Sequence, residues 1–223
     1  MEDFDIFAHD YKTILDKTLK FGGEKEEYFS KYKADCINRC VGNNFSGKIL
    51  DYGCGVGLLS KTLLKHFPHA SVDGYDVSTA SIEHVPNYLK EQGCFTSDMN
   101  ALAQNYDLIV VANVLHHIKG SDREYVVAGF NKLIKNKGKI IIFEHNPFNP
   151  LTCKIVRDSP LDKGVVLLPF SEPLFYLKKT GFKNIRLNYI VFFPKFLSAL
   201  RWAEPFLFWF PLGAQYMAIG EVN

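Results

Sequence analysis

Three glycines alternate with other residues directly after a short apolar run, and no other feature of the chain restricts its fold as strongly. Residues 49–58 read Ile-Leu-Asp-Tyr-Gly-Cys-Gly-Val-Gly-Leu. The apolar run predicts a buried strand, and the residues after the glycines have the pattern of a helix. Glycines permit a tight turn and a close approach of a ligand, while a helix N-terminus offers N–H groups to it. The segment therefore predicts a strand, a ligand-binding turn and a helix.

The spacing of these glycines distinguishes between cofactor types. Dinucleotide-binding turns follow the pattern G-x-G-x-x-G, whereas Gly53, Gly55 and Gly57 follow G-x-G-x-G, and position 58 is leucine. No Gly-Lys-Ser or Gly-Lys-Thr sequence is present in the turn, which excludes a P-loop. A nicotinamide-dependent oxidoreductase stays open as an alternative, but the spacing disfavours it.

Strand and helix patterns alternate over the first two thirds of the chain, which is typical of βαβ units and a parallel sheet. Residues 107–112 are an uninterrupted apolar run after Asp107, as expected for a strand buried on both faces. Pro86 predicts a kink in one helix. The other strands are expected at residues 48–52, 70–76, 94–96 and 139–144, and the helices at residues 26–40, 58–66, 81–92 and 122–134.

The last third of the chain has a different pattern. Residues 146–170 contain several prolines and little periodicity, so they predict a long loop with a functional role. A helix is expected over residues 171–180, and two alternating strands over residues 184–193 and 215–222. An aromatic helical insertion at residues 194–213 separates these two strands.

Composition argues against several classes of protein. The chain has 223 residues, 47% apolar residues and a formal net charge of +2, which disfavours disorder and nucleic-acid binding. The first residues are acidic and lack the apolar core of a secretory signal, and residues 205–213 are far fewer than the roughly 20 that span a membrane. The five scattered cysteines are typical of a reduced protein, which predicts a cytoplasmic location and no zinc site at Cys36 and Cys40.

Four motifs, in order and at matching spacing, resemble those of the class I S-adenosylmethionine-dependent methyltransferases. The first is the acidic-x-G-x-G-x-G motif, and the next two are acidic residues at the ends of the second and third strands. The fourth is the strand at residues 106–113 and the segment after it. The matching residues are Asp51, Gly53, Gly55, Gly57, Asp76, Asp98, His116 and His117, and the resemblance covers about residues 44–144.

The resemblance implies an α/β, doubly wound (Rossmann-like) fold with a seven-stranded mixed sheet in the order 3-2-1-4-5-7-6. It implies one domain over residues 1–223, with an N-terminal helical cap (1–44), a cofactor-binding core (45–145) and a substrate-side region (146–223). The implied activity is methyl transfer from S-adenosylmethionine to a small-molecule acceptor, which we expect to be methylated on oxygen. A catalytically silent cofactor-binding subunit is the alternative.

The resemblance also implies the cofactor-binding residues. Asp51 would assist the amino group of the cofactor, Asp76 would accept hydrogen bonds from both ribose hydroxyls, and Asp98 would accept one from the adenine amino group. The complete predicted set is Asp51, Gly53, Cys54, Gly55, Gly57, Asp76, Val77, Ser97, Asp98, Met99, Asn113 and Val114.

Three histidines follow the predicted fourth and fifth strands, at the sheet edge where the acceptor would bind. His116 is the predicted general base for a hydroxyl acceptor, and its proposed partner is Tyr11, as in the phosphobase methyltransferases that it resembles at this position. His145 is a second catalytic candidate. The predicted substrate contacts are His117 and Asn146.

A metal-dependent reaction is an alternative for these side chains. His116, His117, His145 and Glu144 could converge on one ion. Methyltransferases of the catechol type use magnesium with Asp and Asn ligands, which this sequence does not clearly contain. The sequence therefore predicts no metal.

Residues 205–213 include a run, residues 206–210, that is apolar all round and lies between two prolines. A segment of this kind packs as a buried lid, forms a dimer contact, or contacts a membrane surface or lipid-like substrate. The sequence leaves these three roles open.

Overall fold

One seven-stranded mixed sheet forms the centre of the computed structural model, which describes residues 11–19 and 23–223. Its spatial order is β3-β2-β1-β4-β5-β7-β6, which confirms the predicted order. Neighbours among the first five strands pair parallel, and β7 pairs antiparallel with both β5 and β6. The strands are β1 (Lys48–Tyr52), β2 (Ser71–Tyr75), β3 (Phe95–Thr96), β4 (Tyr106–Ala112), β5 (Ile134–His145), β6 (Lys183–Ile190) and β7 (Gln215–Glu221).

Helices cover both faces of this sheet. Successive residues of β4 alternate between two apolar cores: Ile109 and Val111 belong to one, and Leu108 and Val110 to the other. All four are completely buried, which explains the uninterrupted apolar run in the sequence. The helices are α1 (Tyr11–Leu19), α2 (Glu26–Val41), α3 (Leu58–His66), α4 (Thr79–Glu83), α5 (Asn87–Lys90), α6 (Gly120–Leu133), α7 (Pro150–Arg157) and α8 (Ser171–Lys179).

Two predicted elements differ from the structure because of local proline chemistry. The helix predicted over residues 81–92 is divided into α4 and α5, and Pro86 occupies the N-cap position of α5. The loop predicted over residues 146–170 contains α7, so that prediction was wrong in part. Asn149 accepts a hydrogen bond from the Thr152 N–H at 3.0 Å, and Pro150 occupies the first turn, where its missing N–H costs nothing.

The aromatic insertion is a 3₁₀-helix over Lys195–Phe206 followed by turns. Its anchor is Glu204, which is 4% exposed and accepts hydrogen bonds from the N–H groups of Phe192 and Phe193 and from the Tyr32 hydroxyl. The large side chains around this anchor point outward. We call the following exposed residues the aromatic surface: Phe196, Trp202, Phe206, Phe208 and Trp209.

The exposure of the aromatic surface bears on the three roles left open for residues 205–213. Phe206 is 69% exposed and Trp209 is 64% exposed, so the segment does not form a buried lid or core in the isolated chain. Within residues 11–19 and 23–223, no helix combines the length and the hydropathy needed to cross a membrane.

The five cysteines are free thiols.

Candidate active site

A cavity of about 530 Å³ opens at the carboxyl ends of the parallel strands. This is the edge at which doubly wound sheets bind ligands, because the loops after neighbouring strands diverge there. The turn after β1 and the ends of β2 and β4 form one side of the cavity. The other side contains α1 and α2 residues, the segment after β4, and residues around α7. The same cavity is therefore lined by the glycine turn and by histidines of the segments after β4 and at the end of β5.

The glycine turn has the backbone geometry that its sequence predicts. Gly53, Gly55 and Gly57 have φ angles of +79°, +52° and +81°, which residues other than glycine rarely adopt. A Cβ on Gly53 would lie 2.3 Å from Val114 Cγ2, whereas a Cβ on Gly55 would have no neighbour within 4 Å. Gly55 lines the cavity, so the space that a ligand would occupy begins at its backbone.

Asp76 and Asp51 place two carboxylates at this end of the cavity. Asp76 accepts hydrogen bonds from the Gly55 N–H at 2.8 Å and from the Ser78 N–H at 2.9 Å, one on each oxygen. Each oxygen can accept a further hydrogen bond, so both suit a diol. Asp51 is buried and accepts a hydrogen bond from the Ser60 hydroxyl at 2.6 Å. Burial raises the pKa of Asp51 to about 6.

Asn113 directs an amide oxygen into the same region. Its φ angle is +58°, and its N–H donates to the Phe143 carbonyl at 2.8 Å. The side-chain Oδ1 is buried, and no hydrogen-bond partner for it exists among the described residues. A buried acceptor without a partner fits a ligand that brings a donor, such as an ammonium group.

Lys33 is a functional candidate that the sequence reasoning missed. It extends from α2, is 7% exposed and lines the cavity. Burial lowers its pKa, while the carboxylates Glu26, Glu144 and Asp51 oppose that shift. An amphipathic helix in the predicted cap gave no local signal that this lysine faces the glycine turn.

The predicted cofactor residues divide into two groups. The structure brings Asp51, Gly53, Cys54, Gly55, Asp76, Val77, Asn113 and Val114 to the cavity wall. Gly57, Ser97, Asp98 and Met99 are not part of that wall. Asp98 is exposed and accepts a hydrogen bond from the Asn100 N–H at 2.9 Å, as the N-cap of a 3₁₀ turn.

The histidines lie at the opposite side of the cavity. His117 and His145 line it, together with Asp162, whereas His116 lies behind this wall. His116 Nδ1 is 2.6 Å from Glu144 Oε2, and its Nε2 is 3.4 Å from Asp162 Oδ1. His117 Nε2 is 3.6 Å from the same Asp162 oxygen. His116 is thus held between two carboxylates and does not reach the cavity itself.

Burial and charge shift the protonation of this cluster in opposite directions. Burial alone would lower the pKa of His116, but Glu144 and Asp162 outweigh it and raise that pKa above its ordinary value. Burial, and then the charge of His116, lower the pKa values of His117 and His145 to about 4. One histidine is therefore stabilised as the cation, and the two that line the cavity as neutral imidazoles.

The two remaining site predictions have different outcomes. Asn146 is buried and its side-chain amide donates to the carbonyls of Pro211 and Gly213 at 3.0 and 2.8 Å. It therefore joins the end of β5 to the segment before β7 and does not line the cavity. Tyr11 begins α1, but its side chain lies outside the part that the structure describes.

Asp162 is the second functional candidate that sequence reasoning missed. It ends a short 3₁₀-helix, Pro160–Asp162, whose N-cap is Ser159. The only available signal was its location in a segment expected to be a functional loop. Nothing local indicated that this carboxylate would meet two histidines from another strand end.

The sheet order, the open glycine turn and the paired carboxylates define a cofactor-binding α/β protein of the methyltransferase type. Comparison with known proteins leads to the same class of protein. Residues 50–140 match the family described as methyltransferase domain. The fold resembles that of a SAM-dependent methyltransferase from Archaeoglobus fulgidus, with a TM-score of 0.68, 16% identity, and coverage of 91% of this chain and 96% of that chain. In its domain match, sheet order and fold, the chain is similar to the class I S-adenosylmethionine-dependent methyltransferases.

The names of two curated relatives refer to quinones. Demethylmenaquinone methyltransferase of Thermotoga maritima is 28% identical over 152 residues, which are 67% of this chain and 62% of the relative. Ubiquinone biosynthesis O-methyltransferase of Coxiella burnetii is 34% identical over 99 residues, 41% of each chain. The chain therefore spans less than two thirds of the length of either relative.

Proposed function

We propose that this protein transfers the methyl group of S-adenosylmethionine to an oxygen atom of a small, largely apolar acceptor. The observation that carries the proposal is a single cavity with the glycine turn and Asp76 at one side and His117, His145 and Asp162 at the other. The cofactor, when bound, supplies an electrophilic methyl carbon, and the protein's task is alignment and exclusion of water.

The residues at the glycine turn fit this cofactor. Gly55 leaves room against its backbone, and Asp76 offers one carboxylate to two ribose hydroxyls. The unpartnered amide oxygen of Asn113 and the buried carboxylate of Asp51 suit an ammonium group. Lys33 suits the carboxylate of the methionine end. Asp98 stays a proposed adenine contact, which would require the cofactor to extend past the cavity wall.

The acceptor side combines apolar walls with the polar cluster. Phe29, Ile118 and Ile155 line the cavity alongside His145. We assign proton removal from an acceptor hydroxyl to His145, because it reaches the cavity from the end of β5. His116, which contacts Glu144 and Asp162, is a positioning residue in this scheme.

The acceptor is lipid-like in this proposal, and the aromatic surface contacts the membrane that contains it. Exposed tryptophans and phenylalanines bind well at the boundary of a bilayer, where apolar rings lie beside polar headgroups. The names of the two relatives, which refer to menaquinone and ubiquinone, are consistent with an acceptor of this class. A homodimer through the same surface is the competing explanation of its exposure.

Calorimetric binding of S-adenosylhomocysteine, with NADH as the control ligand, tests the cofactor assignment. We expect micromolar binding of S-adenosylhomocysteine by the wild type, loss of binding in Asp76→Ala, and unchanged binding in Asp158→Ala, an exposed aspartate outside the cavity. Binding of NADH instead would refute the proposal. Tight S-adenosylhomocysteine binding without methyl transfer to any hydroxylated acceptor would favour the silent-subunit alternative.

A further inference from the structure

Three potential metal ligands meet at the acceptor side of the cavity. One nitrogen of His116, one of His117 and one carboxylate oxygen of Asp162 all lie within 4.8 Å of one another. None of the three is needed to hold the cofactor at the glycine turn. They come from the segment after β4 and from the 3₁₀-helix after α7, so they are distant in sequence and are brought together by the fold.

An unsatisfied atom points into this cluster. His116 is 3% exposed, and its Nε2 is buried without a hydrogen-bond partner among the residues that the structure describes. Its nearest acidic neighbour, Asp162 Oδ1, is 3.4 Å away. At that distance Asp162 is a weak partner for the protonated ring, and zinc would replace the Nε2 proton with a stronger contact.

The other ring nitrogen of His116 is fixed in the way that metal-binding histidines are. Nδ1 contacts Glu144 Oε2 at 2.6 Å, and the second oxygen of Glu144 accepts from the Leu115 N–H at 2.8 Å. Histidines that bind metals usually donate the second nitrogen to a carboxylate or carbonyl, which sets the ring orientation. Glu144 therefore directs Nε2 toward the cluster.

Two of the three distances between the ligand atoms lie in the range that a tetrahedral ion requires, and the third, between the two histidine nitrogens, is within 4.8 Å. Zinc–ligand distances of about 2.0–2.2 Å at tetrahedral angles put neighbouring ligand atoms about 3.3–3.6 Å apart. The distances from Asp162 Oδ1 to His116 Nε2 and His117 Nε2 are 3.4 and 3.6 Å. Two imidazoles and one carboxylate favour zinc over magnesium or calcium, which prefer oxygen ligands.

We propose that His116, His117 and Asp162 bind one zinc ion, with a fourth coordination position directed into the cavity. Three protein ligands and one open position are typical of catalytic rather than structural zinc sites. His117 and Asp162 line the cavity, so the open position faces the space assigned to the acceptor. The metal alternative considered from the sequence named His116, His117, His145 and Glu144, whereas the structure groups Asp162 with His116 and His117. Zinc binding does not depend on the proposed methyl transfer.

The test is zinc binding by the full chain without an affinity tag, after treatment with EDTA. Calorimetric titration against a chelator of known affinity should give one zinc per chain, and magnesium should not bind. His117→Ala and Asp162→Asn should each weaken zinc binding at least 100-fold, and Glu144→Gln should weaken it about 10–100-fold. Cobalt(II) in the same site should give the visible absorption of a four-coordinate ion.

The matched control is His66→Ala. His66 Nε2 lies 3.6 Å from Asp35 Oδ1, and this histidine–aspartate pair is outside the cavity. Replacing His66 should therefore leave zinc binding unchanged. Thermal unfolding checks that each variant is folded. Substoichiometric zinc in the wild type, or zinc retained by both folded variants His117→Ala and Asp162→Asn, would overturn the proposal. Binding of S-adenosylhomocysteine, measured in parallel, shows whether the proposed function fails as well.

Discussion

His116 Nδ1 lies 2.6 Å from Glu144 Oε2, and neither side chain is exposed to solvent. His116 lies in the segment after β4, and Glu144 lies within the last residues of β5, the neighbouring parallel strand. Glu144 also accepts the Leu115 N–H, so it fixes both the backbone and the ring of the segment after β4. This contact determines the orientation of the histidine that the sequence suggested as a base.

Replacing Glu144 with Gln should destabilise the fold. Removal of one partner of a buried charged pair typically costs about 3–5 kcal/mol, because the other charge is left without compensation. Since Gln retains an oxygen for the Leu115 N–H, we expect the lower end of this range. Urea unfolding at neutral pH, with EDTA present, measures the loss. A double-mutant cycle with His116→Asn should show strong coupling, and a loss below about 1 kcal/mol would contradict the assignment.

Replacing Gly55 with Ala should impair cofactor binding, while the cost to folding should be limited to its backbone conformation. The added Cβ would meet no protein atom within 4 Å, but it would project from a residue that lines the cavity. Its φ of +52° costs roughly 1–2 kcal/mol for alanine. Gly181→Ala is the control, since its φ is +98° and its Cβ also has no near neighbour. Calorimetry should show weaker S-adenosylhomocysteine binding only in Gly55→Ala, and equal effects would count against a ligand at Gly55.

Cofactor affinity should fall as the pH decreases through about 6. The pKa of Asp51 in the folded protein is raised to about 6, so the carboxyl gains a proton below that pH and no longer attracts an ammonium group. The ionised fraction drops about tenfold between pH 7 and pH 5, and the affinity for S-adenosylhomocysteine should drop by about the same factor. Asp51→Asn should bind weakly with no pH dependence over this range. An equally steep profile in that variant would assign the dependence to another group.

Lys33 should contribute to affinity through the methionine carboxylate of the cofactor. Loss of a hydrogen bond to a charged group costs about 1.5–3 kcal/mol, so Lys33→Gln should weaken S-adenosylhomocysteine binding roughly 10–100-fold. Methylthioadenosine lacks the carboxylate and should bind the variant and the wild type alike. Lys31→Gln, an exposed lysine on the same helix, is the control. Equal losses for both ligands would mean that Lys33 supports the cavity wall without contacting the carboxylate.

The aromatic surface should bind lipid vesicles. Trp202 and Trp209 are largely exposed, and their replacement by alanine should reduce co-sedimentation with vesicles of phosphatidylcholine and phosphatidylglycerol in equal parts. Tyr125→Ala removes an aromatic residue that is 82% exposed on α6 and should have no effect. Absence of the wild type from the vesicle pellet would remove the membrane role. Light scattering would then show whether the same surface forms a dimer.

Local patterns in the sequence predicted most of the scaffold. The apolar run of β4, the glycine turn after β1 and Asp76 at the end of β2 are each recognisable within about ten residues. Short-range periodicity and glycine spacing are sufficient there, because the backbone conformation depends mainly on neighbouring residues. Helix α7 was not predicted, because Asn and Pro are typical of loops as well as of helix N-termini. In the structure Asn149 is the N-cap of α7 and Pro150 is its first residue.

The polar cluster could not be predicted in the same way. His116, Glu144 and Asp162 are separated by up to 46 positions, and their contacts depend on the order of β4 and β5 and on the return of the chain through α7. Lys33 and Asp51 line the same cavity because α2, which packs against α3, brings Lys33 there. The sequence by itself determined the strand order and the cofactor turn through local pattern and family resemblance. The tertiary structure decided which charged side chains share one buried space, because electrostatic contacts depend on distance in space and not on separation along the chain.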